Sequence, residues 1–308
     1  MEDQVSWRAL PRPHEAVEIT MSDGARIWLR RHGNRDGHRV ALSHGNGLAI
    51  DAYYGFWRHL LASCDVILFD IRTHGWNSWN PPEKHTWPRI VDDMEEIYHA
   101  IGTHFDDRPV TGVFHSLAAV AALKHTLTVG RRWSRLILFE PPLCPPTGHP
   151  LAPSYAIHRT EIAERAARRT QFYSSPVSFE RQLLENPYFS VWPEGTHEVF
   201  ARTTLRYDEE AGVWVLRCPR EYEAHIFETN TDESLWTGLA GDLPVPVHLV
   251  CVDASWPDPD LPTVLCRTVA EEHGLDCRFV AATSHLLQLE APSGSAQAVL
   301  GVLASQDV

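Results

Sequence analysis

The sequence predicts an α/β protein: a doubly wound, mostly parallel sheet carrying an inserted, mainly helical segment. Three observations predict it. Short β-branched runs alternate with helical segments four times before residue 141. That rhythm breaks at Pro141 and resumes near residue 244. The stretch between is rich in proline and aromatic residues and holds no βαβ unit. The expected division is therefore a core of residues 1–141 and 244–308 with a cap insertion of residues 142–243.

Composition narrows the class. An apolar content of 44% with 22% charged residues is that of an ordinary globular chain. A net charge of −13 argues against a nucleic-acid or anionic-membrane partner, because no basic block offsets it. No apolar run is long enough to span a bilayer. The first residues lack the basic and apolar regions of a signal peptide. Six scattered cysteines with no C-x-x-C read as free thiols, so the expected location is cytoplasmic. No H-E-x-x-H occurs among the 18 histidines. Spacing thus supports no metal site, and no cofactor is expected.

The elements follow in order. Residues 1–14 read as an irregular leader. Residues 17–20 and 26–30 form a hairpin around Ser22-Asp-Gly24. A strand over 39–43 runs into His44-Gly-Asn-Gly47, and a helix over 52–62 places Tyr53, Phe56, Trp57, Leu60 and Leu61 on one face. A buried strand spans 66–70. The helix over 87–99 turns Asp92, Asp93, Glu95 and Glu96 to solvent. Next come a strand over 110–114, an Ala-rich helix, and a strand over 136–139 that ends at Glu140-Pro-Pro142. A basic helix over 159–169 belongs to the cap. Strand 247–252, helix 261–273, strand 278–282 and a closing helix over 291–303 restore the alternation.

Ser116 lies where the fifth strand turns into the Ala-rich helix. A serine there is held clear of both elements, and the free N–H groups of the helix start point at whatever it attacks. Read alone, the segment fits an ordinary helix N-cap better. Its neighbours along the chain change the balance.

Five segments stand in register: His44-Gly-Asn-Gly47, Phe69-Asp-Ile-Arg-Thr-His-Gly75, Phe114-His-Ser-Leu-Ala118, Leu138-Phe-Glu-Pro-Pro142 and Ser284-His-Leu-Leu-Gln-Leu-Glu-Ala-Pro292. In these the chain resembles the α/β-hydrolase fold superfamily over nearly its whole length. The resemblance makes Ser116 the nucleophile of a strained elbow. The usual G-x-S-x-G departs here in Phe114, while Ala118 keeps the second position small. The resemblance also makes His285 the general base and assigns the oxyanion hole to the backbone N–H groups of Asn46 and Leu117. The Asn46 side chain is a further donor, and His44, Asp70, Arg72 and His74 are expected to brace loops.

The triad acid stays open at this stage. The position expected beyond the seventh strand falls near residues 254–255, where neither side chain serves. Glu140, which certain haloalkane dehalogenases match in position, is favoured over Asp253, with Asp258 third. The expected activity is cofactor-free hydrolysis of a carboxylic ester or lactone through an acyl-enzyme. The cap aromatics point to an apolar, ring-bearing small molecule. A non-catalytic ligand-binding member of the fold is the alternative, favoured by Phe114 and the displaced acid. Serine-dependent C–C hydrolysis and perhydrolysis also remain, and a homo-oligomer stays open.

Overall fold

The hairpin of β1 (Glu15–Thr20) and β2 (Arg26–Gly33) pairs antiparallel, with Ile19 opposite Ile27. The structure, a computed structural model, describes residues 9–253, 255 and 257–305. The expected leader falls partly outside them, and residues 9–14 carry no helix or strand. β3 (His38–Ser43), α1 (Tyr54–Trp57), β4 (Cys64–Phe69), α2 (Trp87–Phe105), β5 (Thr111–His115), α3 (Leu117–Val129) and β6 (Arg135–Phe139) follow.

After β6 the chain leaves the sheet through α4 (Ala152–Arg168), β7 (Phe172–Tyr173), α5 (Pro176–Glu185), α6 (Thr196–Thr204), β8 (Leu205–Asp208), β9 (Val213–Leu216), α7 (Arg220–Glu228) and α8 (Ser234–Gly238). It returns with β10 (Val247–Val252), α9 (Leu261–His273), β11 (Asp276–Val280), α10 (Leu287–Glu290) and α11 (Pro292–Ala304). The main sheet has the order β1-β2-β4-β3-β5-β6-β10-β11. From β4 to β11 every neighbouring pair is parallel, and β2 pairs antiparallel with β4. Parallel strands need crossovers, and these put helices on both faces.

Two apolar layers result. Successive residues of a strand face opposite ways, so Ile67 and Phe69 of β4 pack with α2 and α3, whereas Val66 and Leu68 pack with α11. Phe114 joins the first layer, edge-on to Phe69 and Trp133 at centroid distances of 5.9 and 5.2 Å. Gly112, two residues earlier on the same face, makes room for that ring. A Cβ at Gly112 would overlap the Phe114 ring and lie 2.8 Å from Leu136 Cδ2. The bulk at the first position of the elbow is therefore absorbed inside the core.

Three expectations need correction. The helix over 52–62 is instead two 3₁₀ turns, Ile50–Tyr53 and Arg58–Leu60, flanking the single turn of α1. Its aromatic, glycine-interrupted sequence has little helix propensity, and tertiary bonds set its path. Trp57 Nε1 donates to the Ile50 carbonyl at 3.1 Å, and Ile50 N donates to Asp70 Oδ1 at 2.8 Å. Asp93 faces inward rather than to solvent, in a two-pronged pair with Arg72 at 2.6 and 2.7 Å. The cap also holds a three-stranded antiparallel sheet, β7-β9-β8, beside its helices.

The cap aromatics largely pack on one another. Tyr173, Phe179, Trp192 and Phe200 are buried, with ring centroids 4.4–6.0 Å apart along the series Tyr173–Phe179–Phe200–Trp192. They join the apolar layer that also holds Val66 and Leu68 of the sheet. Among the described residues no helix is long and apolar enough to cross a membrane.

Candidate active site

Ser116 takes φ 51° and ψ −112° between β5 and α3, a conformation that side chains other than glycine rarely adopt. Among the described residues four non-glycines have positive φ, and Glu140 at 40° is another of them. Such backbone costs roughly 1–3 kcal/mol each and persists where the surroundings over-determine it. Here Ser116 N donates to the Phe139 carbonyl at 3.0 Å and Glu140 N to the Val250 carbonyl at 3.1 Å. Strain thus falls on both the elbow serine and the carboxylate at the tip of β6.

The side chains converge. His285 Nε2 lies 3.0 Å from Ser116 Oγ, and His285 Nδ1 lies 3.0 Å from Glu140 Oε2. Glu140 is fully buried, and its Oε1 accepts from Val252 N at 2.9 Å and Thr263 Oγ1 at 2.7 Å. Two donors on one oxygen fix the carboxylate so that the other oxygen faces the imidazole. That bond places the proton on Nδ1 and leaves Nε2 free to accept from the serine. Asp253, the alternative acid, is turned away: its Oδ1 accepts from Ser255 N and Ser255 Oγ, both at 2.7 Å. Asp258 is exposed, and Ala254 lies outside the described residues. Glu140 is the carboxylate that meets His285 because β6 ends beside β10, level with the base.

The proposed oxyanion donors flank the serine. Leu117 opens α3, so its N–H has no acceptor within the helix. Asn46 N also has no protein acceptor among the described residues, whereas its neighbours are committed. Gly45 N donates to Tyr53 Oη at 3.2 Å and Gly47 N to His74 Nε2 at 3.1 Å. The Asn46 side chain is committed as well, since Nδ2 donates to the Glu223 carbonyl at 2.8 Å. The structure therefore leaves the backbone donor and occupies the side-chain one. A Cβ on Gly45 would stand 3.2 Å from Ser116 Cβ, so only glycine allows the loop this close.

Four residues not singled out as functional from sequence hold the constellation. Tyr53 Oη donates to His115 Nδ1 at 2.7 Å, and His115 Nε2 donates to the His285 carbonyl at 3.0 Å. Asp260 Oδ2 accepts from His285 N at 3.0 Å and from Tyr188 Oη at 2.7 Å, linking the base loop to the cap. The adjacency of His115 to Ser116 was the available signal for one of them. Nothing in the local sequence marks the others, whose bonds to His115, His285 and Asp260 each span 25 or more residues. The expected braces sit at the outer edge. His44 Nδ1 donates to the Gly45 carbonyl at 2.8 Å, and its Nε2 accepts from Ile71 N at 3.1 Å. Burial alone would raise the Asp70 carboxyl, but the Arg30 guanidinium and the Ile50 amide that donates to it outweigh that and hold Asp70 below the usual range.

Burial holds His115 well below the ordinary histidine pKa and His32 at about 4. Each stays neutral when folded but takes a proton near 6.5 when unfolded, so falling pH favours the unfolded chain. Their stabilising contribution is complete above pH 6.5 and is lost as pH drops toward the folded values. At pH 5 the loss is about 2 kcal/mol for each such histidine. Asp93, pushed up to about 6 by burial against the pull of Arg72, works the other way and offsets about 1 kcal/mol at that pH. Urea midpoints should therefore fall between pH 7.5 and pH 5; an unchanged or higher midpoint at pH 5 would contradict the neutral buried imidazoles.

A serine, a histidine and a carboxylate thus stand in hydrogen-bonded series beside two backbone amides with no protein acceptor among the described residues. The chain belongs to the alpha/beta hydrolase family, whose model matches residues 40–298. Solved structures with the same fold include E-2-(acetamidomethylene)succinate hydrolase, at TM-score 0.72 and 13% identity over 94% of this chain and 100% of that one. A thioesterase domain from the curacin biosynthetic pathway matches at TM-score 0.71 and 16% identity over 93% and 99%. The N-formylmaleamic acid deformylase of Pseudomonas putida S16 matches at TM-score 0.65 and 17% identity over 93% and 100%. No curated protein matches the sequence.

Proposed function

We propose that the protein is a serine hydrolase that cleaves a carboxylic ester or lactone through an acyl-enzyme. The observation that carries this reading is the Ser116–His285–Glu140 series, with 3.0 Å at each link. Ser116 Oγ attacks the acyl carbon as its proton passes to His285 Nε2. The carbonyl oxygen, now negative, is met by the N–H groups of Asn46 and Leu117. His285 gives the proton to the leaving alkoxide, and the acyl group stays on Ser116. Water then attacks with His285 as base, releasing the acid and restoring the serine. Glu140 holds the imidazole in its tautomer and offsets its transient charge.

Leu48 and Leu286 follow the oxyanion loop and the base directly, and with Phe189 of the cap they are half-buried apolar groups. They are the side chains offered to an apolar acyl group. The mutual packing of the cap aromatics weakens their use as pocket walls, so the reading rests on these three. Phe114, the feature that favoured a binding-only protein, is accommodated by Gly112 and leaves the elbow geometry in place.

The test is a panel of aryl and alkyl esters, lactones, thioesters, and β-diketones as C–C substrates, followed from the first turnover. Turnover of esters or lactones with a burst of about one leaving group per chain supports acyl-enzyme ester hydrolysis. Turnover of the diketones alone would replace it with C–C hydrolysis.

A further inference from the structure

A second cluster of ligating side chains stands on the far side of the oxyanion loop from Ser116. His74 comes from the loop after β4, His85 from the turn before α2, and Cys218 from the cap between β9 and α7. All three are buried, and one ligand atom from each lies within 4.8 Å of the others. His74 Nδ1 donates to the Arg72 carbonyl at 2.9 Å, which leaves Nε2 with its lone pair facing Gly47 N. His85 is 1% exposed, yet neither of its ring nitrogens has a hydrogen-bond partner. Cys218 Sγ donates to the Pro219 carbonyl at 3.6 Å, and the amides of Gly47 and Glu223 face its sulfur. A buried imidazole with two unmet polar atoms is costly unless something else meets them.

We propose that His74, His85 and Cys218 bind one divalent cation of the zinc class, tying the cap to the core and governing the oxyanion loop. Two imidazole nitrogens and a thiolate are a donor set that suits zinc and cobalt and leaves a fourth position open. Tetrahedral bonds of about 2.0–2.3 Å set ligand atoms roughly 3.3–3.8 Å apart, so atoms now within 4.8 Å of one another would draw in by about 1 Å or less on binding. On binding, Cys218 releases its proton to solvent and its sulfur bonds the metal. No redox step is involved. His74 Nε2 turns from Gly47 N to the ion and the Cys218 sulfur moves with it, so both acceptors facing that amide shift and the loop that carries Asn46 loosens. Occupancy should therefore lower hydrolysis, a consequence that rests on the function proposed above. No motif marks the cluster, because Cys218 lies far along the chain from His74 and His85 and the three follow no metal-binding spacing.

The experiment titrates chelator-treated protein with Co²⁺ and Zn²⁺. The expected result is one Co²⁺ per chain with a thiolate-to-cobalt charge-transfer band in the near ultraviolet. Zn²⁺ should displace it and raise the wild-type Tm. Cys218→Ser should abolish the band, and His85→Gln should weaken binding by at least roughly 10- to 100-fold. Cys144→Ser, at a buried thiol elsewhere, should leave both unchanged. A folded wild type without the band, or a band that survives Cys218→Ser, overturns the site. Should Cys218→Ser fail to fold, an unaltered Tm of wild type in Zn²⁺ overturns it instead. Ester turnover should fall with Zn²⁺ occupancy in wild type and not in His85→Gln. Binding with unchanged turnover removes the hold on the oxyanion loop, and the spectroscopic arm decides the site even in a protein that hydrolyses no ester.

Discussion

Ser116→Ala lowers kcat by roughly 10⁴- to 10⁶-fold while the protein folds as before. The loss is this large because the oxygen removed is the attacking atom, and no other hydroxyl has a base at 3.0 Å in the same series. The residual rate measures what the amides of Asn46 and Leu117 and substrate binding supply alone. Folding should be little changed. Alanine keeps the Cβ, and the positive φ of Ser116 is held by backbone bonds on both sides, Ser116 N to Phe139 O and Val120 N to Ser116 O, each at 3.0 Å. The check is kcat on the best ester together with far-ultraviolet circular dichroism and the urea midpoint. A folded Ser116→Ala that keeps its activity would contradict the nucleophile.

The second large effect separates the carboxylates. Glu140→Gln should lower kcat by about 10⁴-fold, because the amide can present an N–H to His285 Nδ1 and favour the wrong tautomer. Asp253→Ala should stay within about threefold of wild type, as expected for a side chain away from the reacting atoms. Among the described residues its carboxylate bonds to Ser255 and not to His285. Glu140 also carries the bonds to Val252 N and Thr263 Oγ1, so part of its loss will appear as lowered stability. The urea midpoint apportions the two. The opposite ranking of the variants would move the acid to the loop after β10.

The fold was legible because strand runs such as residues 66–70 and 247–252 are apolar on both faces, the mark of a sheet covered on two sides. The order of elements around Ser116 and His285 was legible for the same reason. What was hidden depended on contacts across the chain. Asp93 lies in an acidic run that looks solvated, and only Arg72, 21 residues earlier, draws it inward. The segment 52–62 has the apolar spacing of a helix, but its path is set by Asp70 and its own Trp57 rather than by propensity. The choice between Glu140 and Asp253 turns on which strand end faces the base, a matter of sheet order that neither motif states. Tyr53 and Tyr188 were out of reach because each works through a residue distant in sequence, His115 and Asp260.

The most direct measurement is labelling with a fluorophosphonate followed by intact-mass analysis and peptide mapping, on wild type and Ser116→Ala side by side. The account predicts one adduct per chain, carried by Ser116, slowed strongly by Glu140→Gln and absent from Ser116→Ala. A well-folded wild type that takes no label, or takes it on another residue, would contradict an activated serine at the tip of β5.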